Sequence, residues 1–488
     1  MSSILTNKGA MVALQTLKSI NTNLSKIQSE ISTGMKVASA KDSASIWAIS
    51  KIMESDVKGF KGISESLSLG ESSVAVARQA SETITDLLTD IKQKVVASQE
   101  ENVDRGKIQT DISALRDQIS SVVNAAQFNG LNLLKGTDDV NVLSSLDRAS
   151  DGSVTASNIK IARQDLTTTA GTLGTGTNLS ANATLSASAA TNAGNTATVT
   201  IATDTDMSDN ILSINIGGAT LSFGSGDLSG DQDAAAASIT GSINALGIVG
   251  VTASVSTNVI TLTSTRAFED VALSATGATA SATSIAERAE TLTFSGSANV
   301  AEGDGYQATV GSATFTYVAG KGETFEDVAK GLKTAIDGGS VDGISTQVTQ
   351  NSSGQWAIKI DNNTASSVSL ARAGAAGGTA SGGMFGLDSI DVRTDAGANS
   401  ALSNIETLIN NSIDAAAEFG SAQGRIETQR DFIGKLTDSL KAGIGTMVDA
   451  DMEEASARLQ ALQVQQQLGV QSLSIANQAP QSLLSLFR

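Results

Sequence analysis

The residue types on which most enzyme chemistry depends are missing from this chain, which contains no cysteine and no histidine. Disulfides, zinc sites built on thiolate or imidazole, and Ser-His or Cys-His nucleophilic pairs are therefore excluded. Carboxylates, lysines and hydroxyls remain. A glycosidase, however, needs two carboxylates in an aromatic cleft, and aromatic residues make up only 3% of the chain. We predict that the protein is not an enzyme and that it binds no cofactor and no metal.

Two short motifs were weighed against this prediction. Gly224-Ser-Gly-Asp-Leu-Ser-Gly230 lies between a predicted strand and a predicted helix, where a phosphate-binding loop would stand. Its glycine spacing differs from G-x-G-x-x-G, and its aspartates would repel phosphate, so a flexible connector is preferred. Asp204-Thr-Asp-Met-Ser-Asp209 could hold Ca²⁺ loosely. Because it lacks the glycine and the distal glutamate of an EF-hand, a solvated turn is preferred.

Charge and hydropathy limit the partners of the chain. The formal net charge of −18 at pH 7 disfavours nucleic acid and anionic lipid, because both bind cationic surfaces. No apolar run approaches the roughly 18 residues of a membrane span, and residues 1–18 lack the apolar core of a secretory signal. The sequence therefore predicts no nucleic-acid or membrane partner, and a cytosolic chain unless a dedicated secretion machine exports it.

The elements that dominate both ends of the chain are predicted helices, because apolar residues recur there in steps of three and four or every seven residues, with a looser register after residue 459. In the N-terminal part these residues are Leu17, Ile20, Leu24, Ile27, Ile31, then Val74, Ala77, Ile84, Leu88, Ile91, Val95, then Ile108, Ile112, Leu115, Ile119 and Val122. In the C-terminal part they are Phe419, Ile426, Ile433, Leu440, Met447, then Leu459, Leu462, Leu468, Leu473, Leu483 and Leu484. A stripe that repeats every seven residues is narrow and needs a partner helix. We therefore predict long antiparallel coiled-coil helices built from both termini, with one helix over 402–449.

The outermost segments, 4–31 and 459–487, are predicted to join subunits. The apolar surface that one such segment buries is too small to offset the backbone entropy lost when about 30 residues become ordered. These segments are therefore expected to fold when subunits pack together. The seams at 74–95 and 426–447 are predicted to pack the outer part of the core. An ordinary intramolecular coiled coil remains the alternative for 74–122 and 419–447.

The middle of the chain, about 167–395, is rich in Thr, Ser, Ala and Gly and contains an internal repeat. The segment that starts at Ser213 aligns with the one that starts at Gln307, and both alternate apolar and polar residues around a glycine turn. A helical pattern and further alternating strands follow each copy, which predicts two ββαββ modules in an α+β insertion. The predicted domains are 1–44 plus 454–488, 45–175 plus 395–453, and 176–394 with repeats at about 205–264 and 300–362.

Several motifs, in the right order, resemble bacterial flagellin. They are Asn7-Lys-Gly-Ala-Met11, Gln28-Ser-Glu-Ile-Ser-Thr-Gly-Met-Lys-Val37, Ala126-Gln-Phe-Asn-Gly130, and the ending Ile475-Ala-Asn-Gln-Ala-Pro-Gln-Ser-Leu-Leu-Ser-Leu-Phe-Arg488. The resemblance implies a secreted chain in a hollow extracellular filament, with terminal helices as inner tube, long helices as outer tube and the middle on the surface. It also implies export by the flagellar apparatus. The implied partners are further copies of the chain, an export chaperone, the cap and the hook–filament junction proteins.

Ser39-Ala-Lys-Asp42 fits a capping box that opens the helix containing Ile46, and this is the preferred interpretation. In other flagellins the same stretch is read by plant immune receptors. Here Glu30 stands where a basic residue is usual, Ser43 where aspartate is usual and Ser45 where glycine is usual. Because one change reverses a charge, the resemblance predicts poor elicitation by this stretch.

A second stretch, 88–98, falls where many flagellins contact an animal Toll-like receptor. The pattern of active members is Leu-x-Arg-[Ile/Val]-Arg-Glu-Leu-x-Val. Here Asp90 replaces the first arginine, Gln93 the glutamate and Lys94 the leucine. The resemblance therefore predicts evasion of that receptor, with a solvated helix face as the plain alternative.

The leading functional prediction is a structural subunit that polymerises into the flagellar filament for swimming motility. A hook–filament junction protein is the first alternative, because it shares the terminal helices. The ending at 477–480 and the large insertion favour the filament subunit. A filament-borne adhesin and O-glycosylation of the many serines and threonines at 167–390 stay open.

Overall fold

Seven α-helices and twenty β-strands make up the part of the chain that the structure describes. This computed structural model describes residues 7–149, 153–204 and 206–486, with side chains as far as residue 478. The helices are α1 (Lys8–Thr33), α2 (Ala44–Ala97), α3 (Arg105–Ala125), α4 (Gln232–Ala245), α5 (Phe325–Gly338), α6 (Asp395–Val448) and α7 (Met452–Leu486). The helix predicted over 402–449 begins earlier, at Asp395, and both α2 and α6 are 54 residues long.

Local capping chemistry sets the ends of α1. Asn7 Oδ1 accepts a hydrogen bond from Ala10 N at 3.0 Å, which satisfies one of the free amides of the first turn. Gly34, with a φ of 70°, ends the helix, and its amide donates to the Glu30 carbonyl. Glycine adopts this left-handed conformation without the steric cost that other residues meet.

The predicted stop after α3 is a hairpin turn. Asn129 and Gly130, with φ values of 50° and 82°, are the two turn residues. They join two short strands, β1 (Gln127–Phe128) and β2 (Leu131–Asn132). Two positive φ values in a two-residue loop suit the Asn-Gly dipeptide, as the sequence indicated.

Residue contacts divide the chain into two compact units. We call Met1–Ser72, Asn141–Ile161 and Ala422–Arg488 the terminal unit. Ser73–Val140 and Ala162–Ser421 form the central unit. Each unit is therefore assembled from segments that are far apart in sequence.

In the terminal unit, a two-stranded sheet of β3 (Val140–Arg148) and β4 (Val154–Ile161) packs on the long helices. A Cβ added at Gly70 of α2 would stand 2.7 Å from both methyl groups of Val142. Only glycine therefore lets the strand approach the helix this closely. Gln429 Nε2 of α6 donates to the Ser144 carbonyl at 2.9 Å, so the sheet contacts both helices.

The remaining strands lie in the central unit. They are β5 (Ala183–Leu185), β6 (Ala189–Ala190), β7 (Asn195–Ile201), β8 (Leu212–Ile216), β9 (Ala219–Phe223), β10 (Val251–Ser256), β11 (Val259–Ser264), β12 (Val271–Thr276), β13 (Ala278–Ala280), β14 (Ser284–Ile285), β15 (Glu290–Phe294), β16 (Gly305–Val310), β17 (Ala313–Val318), β18 (Ile344–Gln350), β19 (Trp356–Asn362) and β20 (Val368–Ala375). All their pairings among the described residues are antiparallel. They form four four-stranded sheets, two around each of the helices α4 and α5.

The two halves of this region have matching strand orders. One half contains the sheets β10-β11-β7-β13 and β14-β12-β8-β9, and the other contains β18-β19-β15-β5 and β17-β16-β20-β6. A hairpin, a helix and a second hairpin follow one another in each half. The two hairpins join different sheets, however, and the helix packs into a core to which both sheets contribute.

One half is inserted into the other. We call residues 195–285 the inserted module, and residues 183–190 with 290–375 the basal module. The pair β5 and β6 precedes the inserted module in sequence, yet Leu185 pairs with Leu292 and Ala190 with Val368. Strands β13 and β14 take the equivalent places in the inserted module. The predicted repeats are therefore the middle parts of two larger units.

Candidate assembly surface

Helices α1 and α7 pack side by side and form the candidate assembly surface of the terminal unit. Asn7 Nδ2 donates to the Ala476 carbonyl at 2.8 Å, and Gln466 Nε2 donates to Asn21 Oδ1 at 2.8 Å. Residues later in α1 therefore contact residues earlier in α7, which shows that the two helices are antiparallel.

Backbone hydrogen bonds fasten one end of this pair. Lys36 N donates to the Val448 carbonyl at 2.7 Å, and Ala450 N donates to the Gly34 carbonyl at 2.9 Å. Asp451 Oδ1 then accepts from Glu453 N at 3.0 Å and so caps the start of α7. The turn after α1 and the turn before α7 therefore hold each other in place.

The predicted seam of α1 faces α7 of the same chain. A Cβ added at Gly469 would lie 3.3 Å from Leu17 Cδ1 and 3.7 Å from Ile20 Cδ1. Ile20 and Ile27 are 8% and 7% exposed. The partly buried members are Leu17, Leu24, Ile31, Leu459, Leu462 and Leu473. Leu483 and Leu484 lie outside the residues whose side chains the structure describes.

A second set of apolar side chains on this pair is exposed, each by 55% or more. They are Met11, Val12 and Leu14 on α1, and Val464, Leu468, Val470 and Ile475 on α7. Several large exposed apolar residues on one pair of helices are typical of an interaction surface. Among them, the sequence analysis assigned only Leu468 to assembly, because the others lie off the 3–4 spacing. These residues could have been identified in the sequence as apolar residues that lie on the otherwise polar side of a predicted helix.

In the central unit, the predicted seam of α2 is buried throughout. Its members are at most 1% exposed: Val74, Ala77, Ser81, Ile84, Leu88, Ile91 and Val95. Ser81 occupies the position that lacks an apolar residue, and its carbonyl accepts from Ser412 Oγ of α6 at 3.0 Å. Thr85 Oγ1 donates to the same Ser412 hydroxyl at 3.0 Å, so a polar contact joins α2 and α6 within the apolar seam.

The predicted seam of α6 is buried over most of its length. Phe419, Ile426 and Ile433 are at most 1% exposed, while Leu440 and Met447 are partly buried. On α3, Ile112 and Ile119 are at most 1% exposed. Lys92 of α2 and Glu406 of α6 form an ion pair beside the seam in the central unit.

The predicted capping box at Ser39–Asp42 is wrong in its position. Ser39 N and Oγ both donate to Asp42 Oδ2 at 2.9 Å, and these hydrogen bonds hold the pKa of Asp42 below its ordinary value. Helix α2 begins only at Ala44, however, and the Ser43 carbonyl accepts its first bond, from Trp47 N at 3.0 Å. Ser39 and Asp42 therefore close a turn that precedes the helix.

The residues predicted to affect receptor contact are mostly accessible. Ser45, Asp90 and Gln93 are exposed, and Ser43 is half-buried. Glu30 is also half-buried, with Oε1 3.9 Å from Lys26 Nζ.

Lys94 is held by a neighbouring helix. Its Nζ lies 2.6 Å from Asp111 Oδ2 of α3. The position where the pattern has leucine is therefore occupied here by an ion pair.

The two motifs considered for ligand chemistry bind their own backbone. Asp204 Oδ1 accepts from Asp206 N at 3.1 Å, and Gly224 N donates to Asp227 Oδ2 at 2.6 Å. Thr205 lies outside the described residues. Across the described residues, no group of three or more acidic side chains is placed to hold a metal ion, and no helix is long and apolar enough to span a membrane.

Comparison with known proteins shows which protein family has helical ends like those of this chain. The bacterial flagellin N-terminal helical region matches residues 4–139, and the bacterial flagellin C-terminal helical region matches residues 402–487. Flagellin A of Rhizobium meliloti strain 1021 is 31% identical over 499 residues, with all of both chains covered. The chain belongs to the bacterial flagellin family. Flagellin B of Rhizobium meliloti and a flagellin of Brucella melitensis are also similar over the full length, at 30% and 26% identity.

Family membership confirms the leading functional prediction. This flagellin is a structural subunit of the bacterial flagellar filament, the extracellular organelle of motility. The relatives whose alignments cover the whole of this chain and the whole of their own are flagellins. This favours the filament subunit over the junction protein. A solved hook-associated protein-3 from Legionella pneumophila aligns over 81% of this chain and 98% of that chain, at 9% identity and a TM-score of 0.32. A TM-score that low supports no argument about this chain.

Proposed function

We propose that the α1–α7 pair makes the polymer contacts of the filament as a coiled coil. The observation that carries this proposal is the set of seven exposed apolar side chains on the pair, which stay in water in a single subunit. Burial of such side chains against another copy releases about 1.5–3 kcal/mol for each large residue. The exposed side chains would then contact neighbouring copies of the chain. The residues predicted to drive assembly would pack α1 against α7 within one subunit; these are Leu17 to Ile31 and Leu459 to Leu484.

The other helices and the sheet modules have separate proposed places in the filament. We propose that α2, α3 and α6 form the outer part of the filament core, and that the two ββαββ modules form its surface. This corresponds to the division 1–44 plus 454–488, 45–175 plus 395–453, and 176–394. The role is structural rather than enzymatic. The proposed partners are an export chaperone, the filament cap and the hook–filament junction proteins.

A matched pair of substitutions tests the assembly surface. Leu468→Ser changes a side chain that is 57% exposed on α7, and Val249→Ser changes one that is 82% exposed in the inserted module. Both should leave the circular dichroism of the subunit unchanged. Leu468→Ser should raise the critical concentration for polymerisation about tenfold or more, as measured by sedimentation and electron microscopy. Val249→Ser should have no effect, and normal polymerisation of Leu468→Ser would contradict the proposal.

Deletions test the division itself. A chain without residues 176–394 should still form filaments, because the proposed polymer contacts lie outside that segment. A chain without residues 455–488 should form none. Loss of polymerisation in the first deletion, with the helix content retained, would show that the surface modules are part of the polymer contact.

We also propose that this flagellin is weakly recognised by the two immune receptors. Exposure of Asp90 and Gln93 supports this, because both present changed chemistry to solvent. A reporter assay should show weak Toll-like receptor activation that rises in the Asp90→Arg variant. A peptide of residues 28–49 should elicit little plant response, since Glu30, Ser43 and Ser45 depart from the usual pattern. Full activity of the parent chain or of the peptide would refute the respective half of the proposal.

A further inference from the structure

A lysine amine, a carboxyl group and a carboxamide are enclosed together between α5 and α6. Lys333 of α5 is 7% exposed, and its Nζ lies 2.5 Å from Asp337 Oδ2, one turn further along the helix. The same Nζ donates to Asn404 Oδ1 of α6 at 2.9 Å. Asn404 is 6% exposed, and the Asp337 side chain is 4% exposed. All three residues belong to the central unit.

The surroundings hold this group in one arrangement. Thr346 Oγ1 of β18 donates to Asp337 Oδ1 at 2.5 Å, so each oxygen of the carboxyl group has a partner. Leu332 and Ile336 on α5, and Ile405 and Leu408 on α6, are at most 2% exposed and flank the three residues in sequence. The amine and the carboxamide are therefore held together away from bulk water.

Stability alone gives little reason to bury this set. Removal of a lysine and a carboxylate from water costs several kcal/mol for each ion, and apolar residues of similar size are often as stabilising. Elsewhere in the central unit, the buried pair Arg288–Asp361 uses the two-point geometry of a guanidinium. Lys333 offers no such geometry, but its amine is a nucleophile once it loses a proton. Asn404 is the matching electrophile, because its side chain ends in an amide carbonyl.

We propose that Lys333 and Asn404 form an intramolecular isopeptide bond, with Asp337 as the proton-transfer group. Asp337 takes a proton from the Lys333 ammonium, and the Nζ lone pair attacks Asn404 Cγ. The tetrahedral intermediate then breaks its bond to Nδ2, which receives that proton from Asp337 and leaves as ammonia. Asp337 takes the second proton from Nζ as the new amide forms and passes it to the ammonia, which departs as ammonium. One amide bond forms and one breaks, so the step needs no oxidant, reductant or cofactor.

The distances suit this reaction. Nζ is 2.9 Å from Oδ1, and a C=O bond is about 1.2 Å long, so Nζ lies no more than about 4 Å from Cγ. A shift of less than about 1 Å reaches the separation of 3–3.5 Å at which such groups react. Exclusion of water also suppresses the competing hydrolysis of Asn404 to aspartate.

The bond would tie the basal module covalently to a core helix. Lys333 belongs to α5 of the basal module, whereas Asn404 lies near the start of the 54-residue helix α6. The cross-link would close a covalent loop from residue 333 to residue 404. A surface module joined in this way stays attached when shear or heat opens the non-covalent contacts.

Peptide mass spectrometry of the full-length folded chain tests the proposal. The intact mass should be lower than the sequence mass by one ammonia. Trypsin should not cleave after Lys333, because the modified side chain is no longer a substrate. The digest should therefore contain a branched species in which peptide 331–359 is joined to peptide 394–425, the segments bounded by Lys330, Lys359, Arg393 and Arg425.

Three variants provide matched controls. Lys333→Arg keeps a cation beside Asp337 but has no amine that forms the amide, and Asn404→Ala removes the electrophile, so both should show the full mass. Asp337→Asn keeps both reacting groups and should form the bond at least about 100-fold more slowly.

Two results would overturn the proposal. One is a parent chain of full sequence mass that releases peptides 331–333 and 394–425 separately. The other is a loss of ammonia without the branched species, since succinimide formation at Asn129-Gly130 gives the same mass change. Both results can be read on the parent chain, so they do not depend on whether a variant folds.

Discussion

Arg288 and Asp361 form a two-point ion pair in which Nε donates to Oδ1 at 2.8 Å and Nη2 donates to Oδ2 at 2.7 Å. Their side chains are only 8% and 3% exposed. Arg288 lies between β14 and β15, where the chain leaves the inserted module, and Asp361 lies in β19 of the basal module. The amide of Arg288 also donates to the Arg266 carbonyl of the inserted module at 2.8 Å. The pair therefore fixes the junction between the two modules.

Arg288→Ala should destabilise the basal module by about 3–5 kcal/mol, because it leaves the Asp361 carboxylate buried without a partner. Denaturant unfolding followed by the fluorescence of Trp356, in a Trp47→Phe background, measures this. Arg393→Ala is the control, since the Arg393 and Asp391 side chains are 67% and 37% exposed. It should leave the free energy of unfolding nearly unchanged, because an exposed ion pair contributes little to stability. An equal decrease in the free energy of unfolding of the two variants would contradict the prediction that the Arg288–Asp361 pair stabilises the basal module.

Glu323 should make the stability of the basal module depend on pH. Burial, with a smaller contribution from Asp327, raises the pKa of Glu323 from 4.5 to about 7, although hydrogen bonds from the Gly320 amide and the Tyr317 hydroxyl oppose the shift. The folded chain therefore keeps a proton that the unfolded chain releases as the pH rises past 4.5. This contribution is complete below pH 4.5 and is lost as the pH rises through about 7, by up to about 3 kcal/mol.

The Glu323→Gln variant isolates this contribution from the other carboxyl groups. Its free energy of unfolding, relative to that of the parent chain, should rise between pH 4.5 and pH 7, the range that the two pKa values define. Urea unfolding at several pH values measures the difference. A constant difference across this range would show that Glu323 does not titrate in the folded chain as its surroundings require.

Gly331 should be required for the packing of α5. A Cβ added there would overlap the ring of Tyr317, which is 4% exposed and packs beside Phe385. Gly331→Ala should therefore cost about 1–3 kcal/mol, because a well-packed core must shift to admit the methyl group. Gly241→Ala in α4 is the control, since a Cβ there meets nothing within 4 Å. That change should stabilise the chain by about 0.5–1 kcal/mol, and thermal unfolding of the two variants should shift in opposite directions.

Leu88 should contribute strongly to the packing of α2 against the rest of the central unit. It is 0% exposed, so Leu88→Ala should cost about 2–5 kcal/mol through lost burial and the cavity that remains. Val96→Ala, on the same helix, changes a side chain that is 49% exposed and should cost less than about 1 kcal/mol. Chemical denaturation of the subunit, followed by circular dichroism, compares them. Similar small losses would mean that the seam is not the main source of this packing.

Much of the helical frame was predictable from local patterns. The buried positions Val74 to Val95 follow a 3–4 spacing, which marks one face of a helix whatever its partner is. Asn129-Gly130 formed the expected turn, because its positive φ values suit few other residues. The capping box predicted at Ser39–Asp42 lies a few residues before the start of the helix. A hydrogen bond between two side chains three residues apart stabilises an isolated turn as readily as the first turn of a helix.

The sheets show where local patterns reach their limit. Alternating residues predicted the hairpins around α4 and α5, but not that β5 and β6 pair with strands more than a hundred residues later. Period-two alternation marks the buried face of a strand without naming its neighbour. The contribution of β5 and β6 to the basal module therefore left no signal in either repeat.

The sequence by itself determined the helical ends, the family and the repeated hairpin–helix–hairpin order, because these depend on periodicity and short motifs within a few turns of chain. Only the tertiary structure decided that the α1 seam meets α7 of the same chain and that Met11 and Ile475 stay exposed. It alone brought Lys333 and Asp337 of α5 to Asn404 of α6. The physical reason is that exposure and side-chain proximity depend on contacts between residues far apart in the chain, and local spacing carries no record of them.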